Sequence, residues 1–490
     1  MKPKLLLSLF AFLLFAFTLT AQSVTGTIVD ANKEPIPYVS VMIGPTYGVV
    51  SNEEGAFIIA VPENPEADKV TFSSIGFENL EVPLDNFKGG TFTLKEKVNE
   101  LDNVFITNKK YTPTEILTLA VQNAPKNYAA QDTKQTFFLR SSSENKMIDT
   151  KFELLKSSLE KKSKLKELNN EIEELISKNK GRKSLDFSEY YGFLYQQNTA
   201  TKVAVEKAIK LINKENDISG EQMNNKLIAV IKKHLEPGAT YKLKTGLLTL
   251  DDSLSLEKPQ KEKETGPETA DIKGRITELS LSLNKFYTDE ALDFLTEFKR
   301  YTYTLEGFST FNDETIYIID FQPKKNAAKY SGKIYVNAID FAVVKLDYAM
   351  IDGKTEHNVN LKFLLGIKAV EDRVKVSATY TKNEAGQYAV NFVKKESNTY
   401  YYISRPLKFT KNKVDKDEED KMMKIDLLIE GDNHKVSELF IIDREKIKPE
   451  SFASVKENTN YEIKTISKYD ASEWENYNVL APVDAIKNYK

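Results

Sequence analysis

Apolar and polar residues alternate with a period of two over residues 300–466. In the segment Ala342–Tyr348, every second residue from the first is apolar, whereas Lys345 and Asp347 fall at intervening positions. Successive side chains of a strand point to opposite faces of its sheet, so this pattern indicates strands with one apolar face. About eight to ten such runs predict a large antiparallel sheet or half-barrel in this region.

An apolar face of this size has to be covered by another part of the chain, a partner or a ligand. The helix expected after Thr288 carries Ala291, Leu292, Leu295 and Phe298 on one side. One short helix is too small to cover so many strands. The sequence therefore favours a sheet that curls around this helix or leaves a concave binding face, with Ala342–Tyr348 and Val374–Tyr380 contributing to it.

Residues 99–299 show mainly helical signals and are interpreted as a mixed helical region. Thr112-Pro113-Thr114-Glu115 forms a capping box with proline at the first helical position, and Pro125 is expected to end that helix. The other elements expected here are a strand at 136–141, helices at 151–178, 200–213 and 220–234, and an exposed loop at 251–274.

The long charged helix expected at 151–178 has two possible roles. Leu165, Leu168, Ile172 and Leu175 follow a 3-4-3 spacing, which is typical of a coiled coil with another chain. A helix packed on its own domain explains the same spacing, and we favour it because the apolar stripe is short.

Residues 1–21 have the pattern of a secretory signal peptide. Lys2 and Lys4 precede an almost unbroken apolar run over Leu5–Leu19, and small residues surround the expected cleavage site before Gln22. A membrane anchor would need about 20 apolar residues, so cleavage is favoured. The mature chain is therefore expected to be exported to the periplasm or the outer-membrane surface of a Gram-negative bacterium.

The composition excludes several classes of function. The 490 residues include no cysteine, which excludes disulfides, thiolate nucleophiles and cysteine metal sites. The 69 basic and 72 acidic residues give a net charge of −3, which argues against a nucleic-acid partner. The sequence has no phosphate-binding loop, dinucleotide fingerprint or nucleophile elbow. We therefore predict no catalytic, cofactor-binding or metal-binding residues and no cofactor.

Residues 22–98 show short strands separated by turn residues, which is typical of a small β-sandwich that folds on its own. The stretches VTGTIVDANKEPIPYVSVMIGPTYGVVSNEEGAFIIAVP, from Val24, and VTFSSIGFENLEV, from Val70, resemble the carboxypeptidase regulatory-like domain. This resemblance implies a transthyretin-like, seven-stranded β-sandwich at about 23–97. The matching positions are Gly26, Asp30, Pro35, Pro37, Val39, Val41, Gly48, Gly55, Phe57, Ser74, Gly76 and Phe77.

The pattern departs from the family at Ser51-Asn52, where Thr-Asp is usual, but both pairs can bond to the turn backbone. Zinc peptidase activity is not expected despite the family's name. The three histidines, His234, His357 and His434, lie far apart, and none is followed by a glutamate three residues later.

A second resemblance covers YSGKIYVNAIDFAVVKLDY, from Tyr330, and SEWENYNVLAPVDAI, from Ser472. These stretches resemble the soluble front part of uncharacterised envelope proteins of the Bacteroidota type. In the C-terminal tail at 467–490, Trp474 is expected to pack on a sheet, because tails seldom stay ordered without an anchor.

The expected fold class is α+β and mostly β, with an N-terminal sandwich, a helical middle and a large C-terminal sheet. The expected function is that of an exported cell-envelope binding or scaffold protein without peptidase activity. Its partner would be an envelope protein, a glycan or a lipid-like ligand, with a possible outer-membrane association. A carboxylate-dependent hydrolase of the periplasm or cell surface is the alternative, and two facing acids in a polar cleft would favour it.

Overall fold

The computed structural model divides the chain into two compact units, one from the described residues of 1–98 and 470–489 and one from those of 99–469. The predicted signal peptide and nearly all of the helix expected at 220–234 lie outside the described residues. The structure describes residues 22–44, 47–97, 110–128, 131–158, 161–178, 180–181, 183–212, 229, 235–236, 238–255, 269–288, 290–312, 314–383, 385–413, 415, 417–457, 461–475 and 477–488.

The N-terminal unit contains two sheets. Its strands are β1 (Gln22–Val29), β2 (Ser40–Ile43), β3 (Tyr47–Val50), β4 (Ala56–Val61), β5 (Lys69–Ser73), β6 (Leu80–Pro83) and β7 (Gly90–Thr93). Among the described residues, one sheet has the order β4-β1-β7 and the other the order β3-β2-β5-β6. The pairing of β1 is antiparallel with β4 and parallel with β7.

Aromatic rings from both sheets form the centre of this unit's core. The ring of Phe57 on β4 lies 5.8 Å from that of Phe72 on β5, and Phe72 stacks on Phe92 of β7 at 4.6 Å. Strands of four to eight residues are marginal in isolation, so the shared aromatic core stabilises both sheets.

The turn before β4 is closed by the two residues that depart from the family pattern. The Ser51 hydroxyl accepts a hydrogen bond from Val39 N at 2.8 Å. The Asn52 side-chain oxygen accepts from Glu54 N and Ala56 N, both at 2.9 Å. The expectation that this pair can replace Thr-Asp by bonding to the turn backbone is confirmed.

The C-terminal segment 470–488 completes the N-terminal unit. The Asn478 side-chain oxygen accepts from Ala60 N on the edge strand β4 at 3.2 Å, and Asn52 donates to the carbonyls of Ala481 and Pro482. Trp474 is buried, as are Val479, Leu480, Ala481 and Ile486. The predicted packing of Trp474 is confirmed, and the segment supplies an acceptor for the Ala60 amide of an edge strand.

The second unit is built around one large mixed sheet of 14 strands within the described residues. They are β8 (Thr133–Ser157), β9 (Lys183–Gln197), β10 (Ala200–Leu211), β11 (Thr240–Thr245), β12 (Leu248–Ser255), β13 (Tyr301–Phe311), β14 (Glu314–Pro323), β15 (Tyr330–Asn337), β16 (Val343–Met350), β17 (His357–Leu361), β18 (Ile367–Lys382), β19 (Tyr388–Lys411), β20 (Met422–Lys446) and β21 (Ile463–Ile466).

The main path of this sheet is β13-β14-β15-β16-β18-β19-β20-β8-β9-β10-β21, while β11 pairs with β12 and β19, and β17 pairs with β18. The nine strands β13–β21 agree with the eight to ten predicted for the C-terminal region. The sheet is nevertheless larger than predicted, because β8–β12 from the expected helical middle join it. It is also not purely antiparallel, since β10 and β21 are parallel.

Three helices of at least two turns accompany the sheet in the described part of the chain: α1 (Pro113–Asn127), α2 (Lys162–Ser177) and α3 (Thr269–Ile276). None of the described helices is both long and apolar enough to cross a membrane. The shorter helical turns are Leu84–Asn86, Thr277–Leu281, Ser282–Asn284, Phe286–Thr288, Glu290–Leu295, Phe298–Arg300, Lys362–Leu365, Pro449–Ser454, Ala471–Trp474 and Asp484–Lys487.

The capping box of α1 is confirmed: Thr112 N donates to the Glu115 carboxylate at 2.8 Å, and Glu115 N donates to the Thr112 hydroxyl at 3.3 Å. The predicted end at Pro125 is wrong, because the helix continues to Asn127. A proline in the last turn removes only its own amide bond, and Tyr128 N still donates to Ala124 O at 2.8 Å.

The helix expected at 151–178 begins later, because residues up to Ser157 belong to β8. Leu168 and Ile172 of α2 are buried in one cluster with Phe152 and Met423 of the sheet. Packing on its own domain, the favoured interpretation, is therefore confirmed.

The helix expected at 200–213 is wrong, since β10 occupies this segment. A bulge between Val205 and Lys207 shifts the pairing with β9. Buried residues consequently fall at Val203, Val205, Ala208, Ile209 and Leu211, and the spacing of 205, 208 and 209 imitates the face of a helix.

The prediction of an exposed loop at 251–274 is wrong at both ends, because β12 reaches Ser255 and α3 begins at Thr269.

The prediction of a single helix after Thr288 is also wrong. Short 3-10 turns replace it, with a kink at Leu292, and this break lets Leu292, Phe294 and Leu295 all be buried.

Gly431 and Asn433 are typical turn residues and predict a turn at 431–433 between two of the alternating runs, but this prediction is wrong, because β20 is continuous there. A Cβ on Gly431 would lie 2.4 Å from the Tyr401 hydroxyl oxygen of β19. The glycine therefore makes room for this tyrosine within a long strand instead of marking a turn.

The apolar face of the central strands is covered by the chain's own helical segments. Phe294 stacks on Phe321 of β14 at 4.4 Å, the Tyr380 hydroxyl donates to Leu283 O at 2.9 Å, and Tyr128 donates to Val343 O. Residues 343–344, 346 and 348, like 374, 376, 378 and 380, are buried. The hypothesis of an open groove along these strands is wrong, because three helical segments instead of one share the covering.

A row of charged and polar side chains crosses eight neighbouring strands on the opposite face. Each member is the direct cross-strand neighbour of the next: Asp320, Lys333, Asp347, Ser377, Lys394, Glu438, Arg140 and Glu189. Opposite charges directly across strands attract, so the alternation of signs favours this register over its neighbours.

The row is buried at its β20-β8-β9 end. Arg140 is 2% exposed and Glu189 is fully buried. The Arg140 guanidinium lies 2.8 Å from the Glu189 carboxylate and 3.5 Å from that of Glu438. A buried guanidinium between two buried carboxylates stabilises this arrangement only while all three are present.

Replacing Leu480 with alanine is expected to weaken the N-terminal unit by about 2–5 kcal/mol, because a fully buried side chain leaves a cavity. Amide hydrogen exchange at Ala60 in the full chain measures this effect. The exposed Lys487→Ala variant is the control and should shift stability by less than about 0.5 kcal/mol. Equal exchange in the two variants would contradict the role assigned to the C-terminal segment.

Replacing Arg140 with methionine is expected to destabilise the large sheet by about 3–5 kcal/mol, because Glu189 and Glu438 lose their buried cation. Lys333→Met, in the half-exposed part of the row, should cost at most about 1 kcal/mol. Denaturant unfolding followed by far-UV circular dichroism distinguishes them. Adding Glu189→Gln and Glu438→Gln to Arg140→Met should recover part of the loss, and no recovery would count against the charge argument.

Candidate functional site

Large apolar side chains are exposed mainly at two hairpins of the second unit. Of the nine such residues in the described part of the chain, seven lie there, with Phe363 99% and Leu247 101% exposed. Single exposed apolar residues are ordinary, but a cluster marks an interaction surface. We call the seven side chains the apolar turn patch: Leu247, Leu248, Leu250, Val359, Leu361, Phe363 and Leu364.

The two hairpins lie along the same edge of β19. The β17–β18 hairpin reaches β19 at Ile403, and the β11–β12 hairpin pairs with β19 from Leu407 to Lys411. Their turns therefore meet beside residues 404–406. Gly366 takes a left-handed φ of 63°, and a Cβ there would lie 2.1 Å from Ser404 O, so the first turn requires glycine.

Arg405 joins the two turns. Its Nε donates to the Thr245 hydroxyl at 2.9 Å, and one terminal nitrogen donates to Thr245 O at 3.0 Å. The other terminal nitrogen donates to Leu365 O at 2.7 Å. A guanidinium is planar and offers its donors in a fixed fork, so it holds both turns in one arrangement.

Basic residues surround the apolar turn patch. The segments 240–250, 359–368 and 400–411 contain no aspartate or glutamate, and their basic residues are Lys242, Lys244, Lys362, Lys368, Arg405, Lys408 and Lys411. The Lys362 ammonium lies 3.8 Å from the ring centroid of Tyr402, and Lys368 lies 5.3 Å from that of Tyr400. The patch therefore combines apolar tips with a cationic and tyrosine-rich border.

A wide hollow of about 760 Å³ adjoins the patch. Phe363, Leu364, Lys362, Tyr402 and Arg405 contribute to its lining. The Tyr400 hydroxyl near this border donates to the Glu430 carboxylate at 2.6 Å, which raises the pKa of Tyr400 to about 12. Both apolar and polar groups are thus available to a partner at this surface.

The residues that sequence analysis examined for chemistry do not converge. His357 lies on the exposed strand β17, His434 lies within β20, and His234 lies outside the described residues. In the part of the chain that the structure describes, no group of three His, Asp or Glu residues could hold a metal ion. Glu189 and Glu438 are two nearby acids, but both are ion-paired with Arg140.

The apolar turn patch was not among the features predicted from the sequence, although the sequence contains a local signal for exposed apolar turns. The runs Phe363-Leu364-Leu365 and Leu247-Leu248 break the period-two alternation beside a glycine. Consecutive apolar residues at a turn cannot all face a core, so such runs predict exposed apolar tips.

The two sheets of the N-terminal unit share one aromatic core and form a small two-sheet β domain. Residues 24–106 match the family model of the CarboxypepD_reg-like domain. The chain thus contains a carboxypeptidase regulatory-like domain, and the resemblance stated for this part of the sequence is confirmed. No curated protein and no solved structure matches the chain.

Removing the guanidinium with Arg405→Ala should loosen both turns together, because its three hydrogen bonds join them. Hydrogen bonds to charged groups contribute about 1.5–3 kcal/mol each, so amide exchange at 245–248 and 362–366 should accelerate at least about tenfold. Lys408→Ala, at an exposed residue three positions along β19 from Arg405, is the control and should leave both turns unchanged. Faster exchange at only one of the two turns would contradict the conclusion that Arg405 holds them together.

Proposed function

We propose that the protein is an exported cell-envelope scaffold that binds without catalysing a reaction, and that the apolar turn patch attaches it to an anionic lipid surface. The observation that carries this proposal is the clustering of seven of the nine exposed large apolar residues, within the described chain, on two joined turns. Scattered apolar residues would give no such surface.

The shape of the patch favours a lipid surface over a rigid protein partner. Phe363 and Leu247 are almost wholly exposed at turn tips and do not line a deep groove. Projecting tips can enter the fluid boundary between headgroups and acyl chains without a complementary pocket. Tyrosines and lysines are the residues that suit this boundary, because each joins an apolar body to a polar end.

The charge of the patch favours anionic headgroups. Its border segments contain seven basic residues and no acidic one, but Lys242 is ion-paired with Asp252 and Lys411 with Glu236 and Glu418, so the attraction rests on the remaining lysines. Each basic residue close to an anionic membrane contributes about 1 kcal/mol. Burying one large apolar side chain contributes about 1.5–3 kcal/mol, so two tips with a few lysines suffice for reversible attachment.

The N-terminal unit would be the scaffold's second module. Its CarboxypepD_reg-like match supports a non-catalytic β domain, for which we propose the seven-stranded, transthyretin-like sandwich arrangement. The signal-peptide pattern of residues 1–21 supports export to the periplasm or outer-membrane surface. For the large sheet, which leaves β13 and β21 as the ends of its path, we propose a half-barrel.

Co-sedimentation with phosphatidylglycerol-containing vesicles tests the attachment. The Leu247→Asp/Phe363→Asp variant should lose at least about 100-fold in partitioning, because each of the two lost insertions is worth about tenfold or more. Ile339→Asp, at an isolated residue that is 61% exposed, is the matched control and should bind like the wild type.

Salt and lipid charge provide a second readout of the same proposal. Binding should weaken as salt rises and should be weaker with phosphatidylcholine vesicles, because headgroup attraction is screened or absent. Lys362→Gln/Lys368→Gln should reduce binding to anionic vesicles only. Equal binding by the tip variant and the Ile339 control, or binding of a protein partner alone through the intact patch, would overturn the lipid proposal.

A further inference from the structure

A polar recess lies on the helix-covered face of the large sheet, where β8, β9 and β20 approach the β18–β19 hairpin. Its volume is about 60 Å³, which gives room for about four to six water-sized groups. Side chains that can form hydrogen bonds dominate its lining: Gln135, Gln196, Asn284, Gln387, Tyr388 and Arg444. The recess is separate from the apolar turn patch, which involves none of these residues.

Arg444 is the only guanidinium of the recess lining. One of its terminal nitrogens donates to the Gln135 side-chain oxygen at 3.3 Å and to Val390 O at 3.0 Å. Among the described residues it forms no ion pair with a carboxylate, whereas Arg140 on the other face has two. Burial lowers the pKa of Arg444 to about 10, so the group is still cationic at neutral pH.

The Arg444 side chain is only partly exposed, so its guanidinium has lost part of its hydration, and an anion that enters the recess would offset this cost. The fork of a guanidinium matches a carboxylate through two parallel hydrogen bonds. Lys285 lies exposed at the rim of the same recess and adds a second positive charge.

The remaining lining suits hydroxyl groups. The Asn284 side-chain oxygen accepts from Val390 N at 2.9 Å, which leaves its amide NH2 group as a donor. Gln135 and Gln196 are held by a mutual contact at 3.4 Å, and Tyr388 donates to Asp340 at 3.0 Å. Amides and hydroxyls in fixed positions recognise ligand hydroxyls, and they would be left unsatisfied by an apolar acid.

We infer that this recess binds a small hydroxycarboxylate of about six non-hydrogen atoms, such as lactate, with its carboxylate on Arg444. The amide side chains hold the neighbouring hydroxyl, and Lys285 adds positive charge at the rim. This is a ligand site beyond the lipid attachment, and neither depends on the other.

Calorimetric titration of the full chain with lactate, propanediol, propionate and sulfate tests the site. Lactate should bind, propanediol should bind at least about tenfold more weakly because it lacks the carboxylate, and propionate should be weaker because it lacks the hydroxyl. Arg444→Gln should reduce lactate affinity about tenfold or more while vesicle binding stays unchanged.

Lys285→Gln keeps the test decisive if Arg444→Gln does not fold, because Lys285 is exposed. It should weaken lactate binding severalfold, while the control Lys299→Gln, an exposed lysine outside the recess, should not. The proposal is overturned if propanediol binds as well as lactate, or if both recess variants bind like the wild type. Sulfate that competes as strongly as lactate would also overturn it, because the site would then be an anion site without carboxylate selectivity.

Discussion

The large sheet depends on the buried contact of Arg140 with Glu189 and Glu438. The contact lies where β8 pairs with β20, and this pairing joins strands from opposite ends of the second unit's sequence. A slip of two residues would bring Val436 or Phe440 opposite Arg140 and leave buried charges without partners. Charge pairing across strands thus selects one register among several that would bury similar apolar area, as expected for polar groups that must be satisfied in a core.

Several features of this architecture follow from short-range sequence signals. The match of residues 24–106 rests on turn and strand positions that lie close together in sequence, and the capping box of α1 needs only four consecutive residues. The nine strands of the C-terminal region were predictable for the same reason, because each run shows its own alternation. The burial of Trp474 also follows from local reasoning about an aromatic residue in a terminal segment.

The remaining features depend on contacts between distant segments. The bulge in β10 gives a strand the apolar spacing of a helix. Gly431 has the sequence signature of a turn, but it is a glycine because Tyr401 of the neighbouring strand lies against it. The apolar turn patch requires two hairpins that are separated by more than a hundred residues to meet at Arg405. The recess likewise gathers Gln135, Asn284 and Arg444 from three distant elements. No local pattern specifies such meetings, since they arise only once the register of β19 and β20 is set.

The closing of the N-terminal unit by residues 470–488 has a consequence for the order of biosynthesis. Residues 22–97 are synthesised long before residues 470–488, and the Ala60 amide of β4 gains its partner only when that later segment is present. During that interval this edge of β4 remains open to pairing with other chains. A chain that has lost residues 470–488 would keep the edge exposed and would be more prone to aggregation.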